Sequence, residues 1–279
     1  MPKLEKTGFE DVYRLRSGED LAQLAKCVLS KSPGFNPEFI DAVVLVSSEF
    51  SSSPTWLGDF LSANGFRPTT KIFSIQDACT GYVNGTGVAI SLVESGAARE
   101  VLVITADAYS KLFGGDVALG MLFSDGLSCS VVSGGAAQSC DPEIALGFHV
   151  VADEVYNFPQ SSPALSINDG LLTMHGAKVF QFAVSTVPGV VRSAIKPLGL
   201  STSDVDWFVH QGSRIVVEQL ESALEKEPGS LFRAGQYGNT VGSSIPMQLE
   251  EYKTRGNYLG LVAFGMGLSV RVMIMELVK

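Results

Sequence analysis

Hydrophobic positions along this chain switch repeatedly between helical and strand periods. From Asp20 to Ser30 the apolar residues Leu21, Leu24, Ala25 and Val28 share one helical face, and Ala42–Val46 (AVVLV) then forms a strand-length apolar run, the pattern of a strand buried on both sides. The loop SPGFNPEF separates the two. The spacing next predicts a helix in TWLGDFLSANG, a strand in KIFSIQD, a small-residue helix from Thr80 to Ser95, and strands in EVLVITAD and SCSVVSG. Later in the chain the order recurs: helix VFQFAVSTVPGVVRSAI, strand DWFVHQG, helix RIVVEQLESAL, a glycine-rich stretch opening the helix SIPMQLEEY, then strands LGLVAFGMG and LSVRVMIMEL.

This order predicts an α/β protein built from two pseudo-duplicated halves. AVVLVSSEF matches WFVHQG, VLVITAD matches GLVAFGM, and SCSVVSG matches SVRVMIM; no residue-level repeat is visible, so the duplication rests on element order. The chain divides into a first half over 1–133, a connecting segment over 134–173 and a second half over 174–279. From Gly134 to Asp169 the connection is polar and irregular, with Pro142, Pro159 and Pro163, and reads either as a surface crossing or as an excursion bordering the site. The site is expected where strand ends of both halves converge.

Composition narrows the function. At 279 residues the chain can bury a sizeable core, and 46% hydrophobic with 18% charged residues, and no run of eighteen apolar residues, argues for a globular protein and against a membrane span. A net charge of −9 with no Lys/Arg cluster argues against nucleic acid as a partner. The charged start MPKLEKTGFEDVYRLR is unlike a secretory signal, which predicts a cytoplasmic location. Cysteines 27, 79, 129 and 140 form no CxxC pair and no metal-ligand spacing, so no metal is expected, and free thiols, mostly core residues, are. GxGxxG, GxxxxGK[ST] and HExxH are absent, which leaves nicotinamide, nucleotide and zincin readings without support.

Three residues stand where chemistry is done. Cys79 follows the strand KIFSIQD and opens a helix, where the macrodipole and unpaired N–H groups favour a thiolate. His210 ends the strand DWFVHQG, and Asn239 lies in the glycine-flanked turn GQYGNTVGSS. Taken singly they are better explained as a buried structural cysteine, a satisfied histidine and a turn asparagine.

Taken together, DACTGY around Cys79, VHQGS around His210, GNTVGSSIP around Asn239 and the turn AFGMGLS resemble the ketoacyl synthase III group of the thiolase-fold condensing enzymes. FSDGLSCSVV and LLTMHGAKVFQFAV resemble further segments of that family, and the likeness runs from about residue 8 to the end. It implies the thiolase fold, a layered α-β-α-β-α body, and an acyltransferase. Cys79 would carry the acyl group, with the backbone N–H groups of Cys79 and Met266 as the oxyanion hole, and His210 and Asn239 would stabilise the enolate formed when a malonyl thioester loses CO2. The resemblance implies substrates rather than resident cofactors, namely acyl and malonyl thioesters of acyl carrier protein or of coenzyme A, used in fatty-acid initiation or a specialised polyketide pathway. It also implies a homodimer. Acyl transfer to O, N or S without condensation, or a place in a heterodimeric ketosynthase, are the alternatives.

Departures from the family pattern add expectations. The chain begins about thirty residues late relative to it, so the first half should have one strand fewer, the donor mouth should be wider or completed by another chain, and a carrier-protein donor is favoured over free coenzyme A. HQGS replaces HQAN, placing Ser213 where a second asparagine is usual, either neutrally or with a weakened helix cap; Arg214, next in line, is a candidate for docking the carrier phosphate. Ser53 stands where an aromatic gate is usual, which predicts an acyl pocket longer than acetyl unless Phe50 or Trp56 fills it; Phe264 is a further candidate for the pocket wall.

Overall fold

The computed structural model describes residues 7–48, 54–139, 146–250, 252 and 256–278, with the backbone alone at 54–57 and 162. Helix α1 (Leu21–Lys31) starts where Asp20 accepts the Gln23 N–H, a cap worth about 1 kcal/mol, and it buries Leu21, Ala25 and Leu29. Strand β1 (Ala42–Val46) is buried throughout, as is β3 (Glu100–Asp107), while β2 (Lys71–Ile75) alternates in exposure. With helix α2 (Pro54–Ala63) and β4 (Gly126–Ser133), these elements build a first sheet of order β2-β1-β3-β4, parallel except for β3–β4.

The second sheet has the order β5-β10-β9-β8, from β5 (Phe148–Asn157), β8 (Val205–Val209), β9 (Tyr258–Gly265) and β10 (Ser269–Leu277). Here β8 runs parallel to β9 and β9 antiparallel to β10, repeating the β1–β3–β4 relation. The stretch expected to be irregular is corrected by β5: Phe148–Asn157 pairs antiparallel with Ser269–Leu277 and belongs to the second sheet. It is an edge strand whose apolar residues are interrupted by Asp153 and Glu154, which a search for apolar runs passes over. A hairpin of β6 (Leu165–Asn168) and β7 (Leu171–Met174) follows.

Helix α3 (Gly81–Glu94) lies between the sheets, against β1 and β3 on one side and β9 and β10 on the other. Its glycines permit that approach, since a Cβ at Gly81 or Gly85 would collide with the Val46 side chain. Strand alternation feeds two cores at once: Val43, Leu45, Leu102 and Ile104 pack towards α1 and α2, whereas Val44, Val46, Val101 and Val103 pack inward towards Leu261 and Met273. Beyond the second sheet, Val262, Phe264, Val270 and Val272 meet α5 (Gly176–Ile195) and α6 (Arg214–Ala223). The short helix α4 (Val117–Gly120) precedes β4, and α7 (Ser244–Leu249) lies against β4 and β8, so the layers alternate α-β-α-β-α. Among the described residues no helix is long and apolar enough to cross a membrane, and no group of three or more His, Cys, Asp or Glu is placed to hold a metal ion.

Candidate active site

Cys79 sits in a 3-10 turn, Ala78–Thr80, between β2 and α3, and the preceding residue Ala78 takes a left-handed φ of 42°. A non-glycine residue in that region is strained, and such strain gathers at sites that need one fixed geometry. The thiol is buried, and burial pushes it up to about 12; the Met266 N–H opposes this, and the carboxylates of Asp107 and Asp77 add to it. The expected thiolate is therefore corrected: desolvation outweighs the helix terminus, and Cys79 rests as the thiol. Cys129 is pushed up to about 12 by burial as well, and Cys27 is exposed on α1 rather than in a core; Cys140 lies outside the described residues.

His210 follows β8 directly, with its N–H bonded to the Val262 carbonyl and its ring edge-on to Phe264 at 5.4 Å. Its Nδ1 lies 2.8 Å from the Ser244 hydroxyl. Burial pushes the imidazole down to about 4, against the Val241 carbonyl, which favours the charged form, so the ring is neutral near pH 7.

Asn239 is held from the other half of the molecule. Its N–H donates to the Leu122 carbonyl at 3.1 Å, its own carbonyl accepts from Ser124 N–H at 2.8 Å, and Oδ1 accepts from Val241 N–H at 3.0 Å. With Oδ1 so occupied, the Nδ2 donor is the free end of the amide.

Cys79, His210, Asn239 and Phe264 line a single cavity of about 220 Å³, predominantly apolar, with Phe123 and Phe180 among its other walls. The structure thus gathers three residues that lie 131 and 29 positions apart in the chain. Ser213, the N-cap residue of α6, also faces the cavity and makes no capping bond with its side chain. Arg214 is not among the lining residues; its guanidinium stacks over the Phe232 ring at 4.4 Å. Phe50 and Ser53 lie outside the described residues, as does the side chain of Trp56.

Sequence reasoning passed over Ser244, the partner of the His210 ring, and the wall residues of α5. Ser244 lies inside the GNTVGSSIP motif, but the motif does not show which serine faces the imidazole. The α5 wall, Val179, Phe180 and Ala183, carries no signal beyond helical periodicity.

A thiol on a strained turn, opening onto one cavity with a histidine and an asparagine on loops of the opposite half, is the arrangement of a thiolase-fold condensing enzyme. The family described as 3-Oxoacyl-(acyl-carrier-protein) synthase III matches residues 73–150, and its C-terminal counterpart matches residues 195–277. Beta-ketoacyl-(acyl-carrier-protein) synthase III of Chlamydia caviae is 32% identical over 223 residues, covering 74% of this chain and 67% of that protein. The protein of the same name from Cereibacter sphaeroides is 30% identical over 271 residues, covering 90% and 80%. The crystal structure of 3-oxoacyl-(acyl-carrier-protein) synthase III from Aquifex aeolicus superposes with a TM-score of 0.82 at 24% identity, over 98% of this chain and 89% of that one. A priming β-ketosynthase of a polyketide pathway gives 0.82 at 22% identity, over 99% and 86%. The chain belongs to the β-ketoacyl-acyl-carrier-protein synthase III family, the decarboxylative condensing acyltransferases.

Proposed function

We propose that Cys79 carries the acyl group, and that His210 and Asn239 hold the malonyl thioester while it loses CO2. One observation carries this reading: the thiol and two neutral hydrogen-bonding side chains open onto the same apolar cavity. In the first half-reaction the thiol attacks an acyl thioester; the acyl–sulfur bond moves to Cys79, and the thiol proton leaves with the departing carrier thiol. The N–H of Met266, which reaches the Cys79 sulfur, and the N–H of Cys79 itself would stabilise the tetrahedral oxyanion.

In the second half-reaction the malonyl C–C bond to the carboxylate breaks and CO2 departs. The electron pair enters the thioester as an enolate, with donors from His210 and Asn239 on its oxygen. The carbanion attacks the acyl carbonyl, and Cys79 leaves as thiolate and regains its proton from water, one proton being consumed per condensation. Neutral donors suit this step, because a carboxylate there would repel the developing anion.

Both substrates would arrive on phosphopantetheine thiols, of acyl carrier protein or of coenzyme A. A homodimer is proposed on β2, the edge of the first sheet, where Lys71 and Ile72 are exposed and one row of backbone groups has no strand partner among the described residues. Intact-protein mass spectrometry after incubation with acyl thioesters of graded length tests the nucleophile: a mass gain lost in Cys79→Ala supports it, and no gain with any donor removes it. Release of CO2 on adding malonyl thioester supports condensation; an acyl-enzyme that releases none would assign transfer to an alcohol, amine or thiol instead.

A further inference from the structure

A neutral imidazole carries one ring proton, and only the nitrogen that carries it can donate to an oxyanion. In His210 the choice falls to a buried hydroxyl. Ser244 Oγ lies 2.8 Å from Nδ1 and 3.4 Å from the backbone nitrogen of Gln211, a donor with no other role in that pair. Because Gln211 N–H can only donate, one lone pair of the Ser244 oxygen accepts from it, and Nδ1 is the one acceptor among the described residues within hydrogen-bond distance of that oxygen, so the hydroxyl hydrogen points at the ring.

We propose that Ser244 is a positioning residue which, by accepting from Gln211 N–H and donating to His210 Nδ1, keeps the ring proton on Nε2, the nitrogen available to the substrate. The hydroxyl is held for this task. Ser244 is buried on the first turn of α7, and its own carbonyl accepts from Gln248, whose side chain also donates to the Val209 carbonyl just ahead of His210. Gln211 is fixed as well: its side-chain oxygen accepts from Arg233 and Ala234 N–H, and its amide nitrogen donates to the Val209 and Leu231 carbonyls. A proton on Nδ1 would reverse the Ser244 hydroxyl and leave Nε2 an acceptor, useless to an enolate oxygen.

The inference rests on His210 acting as a donor to the malonyl thioester, and its test separates the two. Nitrogen NMR of the histidine-labelled full chain reads the tautomer without any substrate, and three histidines make the assignment tractable. The expected result is an unprotonated Nδ1 and a protonated Nε2 in the wild type, with a shift towards the Nδ1–H form in Ser244→Ala. Condensation should fall about tenfold in kcat, the worth of one neutral hydrogen bond, with a much smaller change in acylation of Cys79; Ser244→Thr, which keeps the hydroxyl, should recover both tautomer and rate. A wild-type ring protonated on Nδ1 overturns the inference whatever the variants do, as does a Ser244→Ala enzyme with unchanged tautomer and rate. A His210→Ala enzyme that condenses at the wild-type rate would instead overturn the reading of His210 on which the inference stands.

Discussion

A Cβ placed on Gly265 would stand 2.7 Å from the Cys79 Cβ and 2.8 Å from its Sγ, closer than real Cβ contacts come. The last residue of β9 therefore presses its bare backbone against the Cys79 thiol, in a conformation with φ 154° that side chains rarely adopt. Gly265→Ala is expected to displace the thiol or the 265–268 turn, and with it the Met266 N–H. Removing an oxyanion donor costs about 100-fold to 1000-fold, and acylation of Cys79, followed by mass spectrometry, should fall by at least that lower bound. The variant should still unfold cooperatively, because the strain is local to one turn.

Asn239→Asp separates hydrogen bonding from charge. The new side chain keeps an oxygen to accept from Val241 N–H, as Oδ1 does now at 3.0 Å, but replaces the Nδ2 donor with a carboxylate oxygen. An anion beside a developing enolate should depress malonyl-dependent CO2 release by more than about 100-fold, with acylation of Cys79 falling far less. Equal losses in both half-reactions would remove Asn239 from the second step.

His210 and Asp107 oppose each other in the pH dependence of stability. Burial holds the His210 imidazole down at about 4, so the stability it contributes is present above its unfolded value near 6.5 and is lost as pH falls through 4. Burial pushes the Asp107 carboxyl up to about 6, against the N–H groups of Ser48 and Gly242 and with the Asp125 carboxylate adding to it. Its contribution runs the other way, present below the unfolded value near 3.8 and lost as pH rises through 6. Each amounts to about 3 kcal/mol as an order of magnitude, so across pH 4–6.5 they largely cancel. Asp107→Asn should unmask the histidine: urea denaturation of that variant should lose stability on acidification through this window more steeply than the wild type does. A wild type and variant with parallel profiles would contradict it.

Much of this was legible in local patterns and some of it was not. AVVLV and EVLVITAD show their burial directly, because a strand covered on both faces has no polar alternation. The duplicated order of elements and the positions of Cys79, His210 and Asn239 at element junctions were equally visible. Strand β5 was hidden, since Phe148–Asn157 carries Asp153 and Glu154 side by side in mid-strand and its partner lies more than a hundred residues away. The ionisation of Cys79 was misread for a different reason. A helix terminus is a local feature that sequence displays, whereas the desolvation that overrides it comes from Gly265, Phe264 and the second half closing over the thiol, which is a property of the assembled body.

The placement of Asn239 depends in turn on a segment that touches no part of the cavity. Tyr13 N–H donates to Ser124 Oγ at 2.9 Å, Leu15 N–H donates to Asp125 Oδ2 at 2.8 Å, and Asp125 N–H donates to the Tyr13 carbonyl at 2.9 Å. The segment thus stitches along the same 122–125 backbone whose Leu122 and Ser124 hold Asn239. Asp125 also accepts from the N–H and hydroxyl of Ser110, at 2.8 and 2.6 Å. Asp125→Ala leaves two backbone N–H groups and a hydroxyl without their acceptor, each costing about 1–3 kcal/mol where water cannot replace it. Unfolding in urea should show a loss of several kcal/mol, and amide exchange should speed up first at Leu15 and Ser110. Condensation should fall more than acylation does, because the loosened 122–125 backbone carries Asn239 and not Cys79; an equal fall in both half-reactions would show that the segment supports the whole body and not that loop.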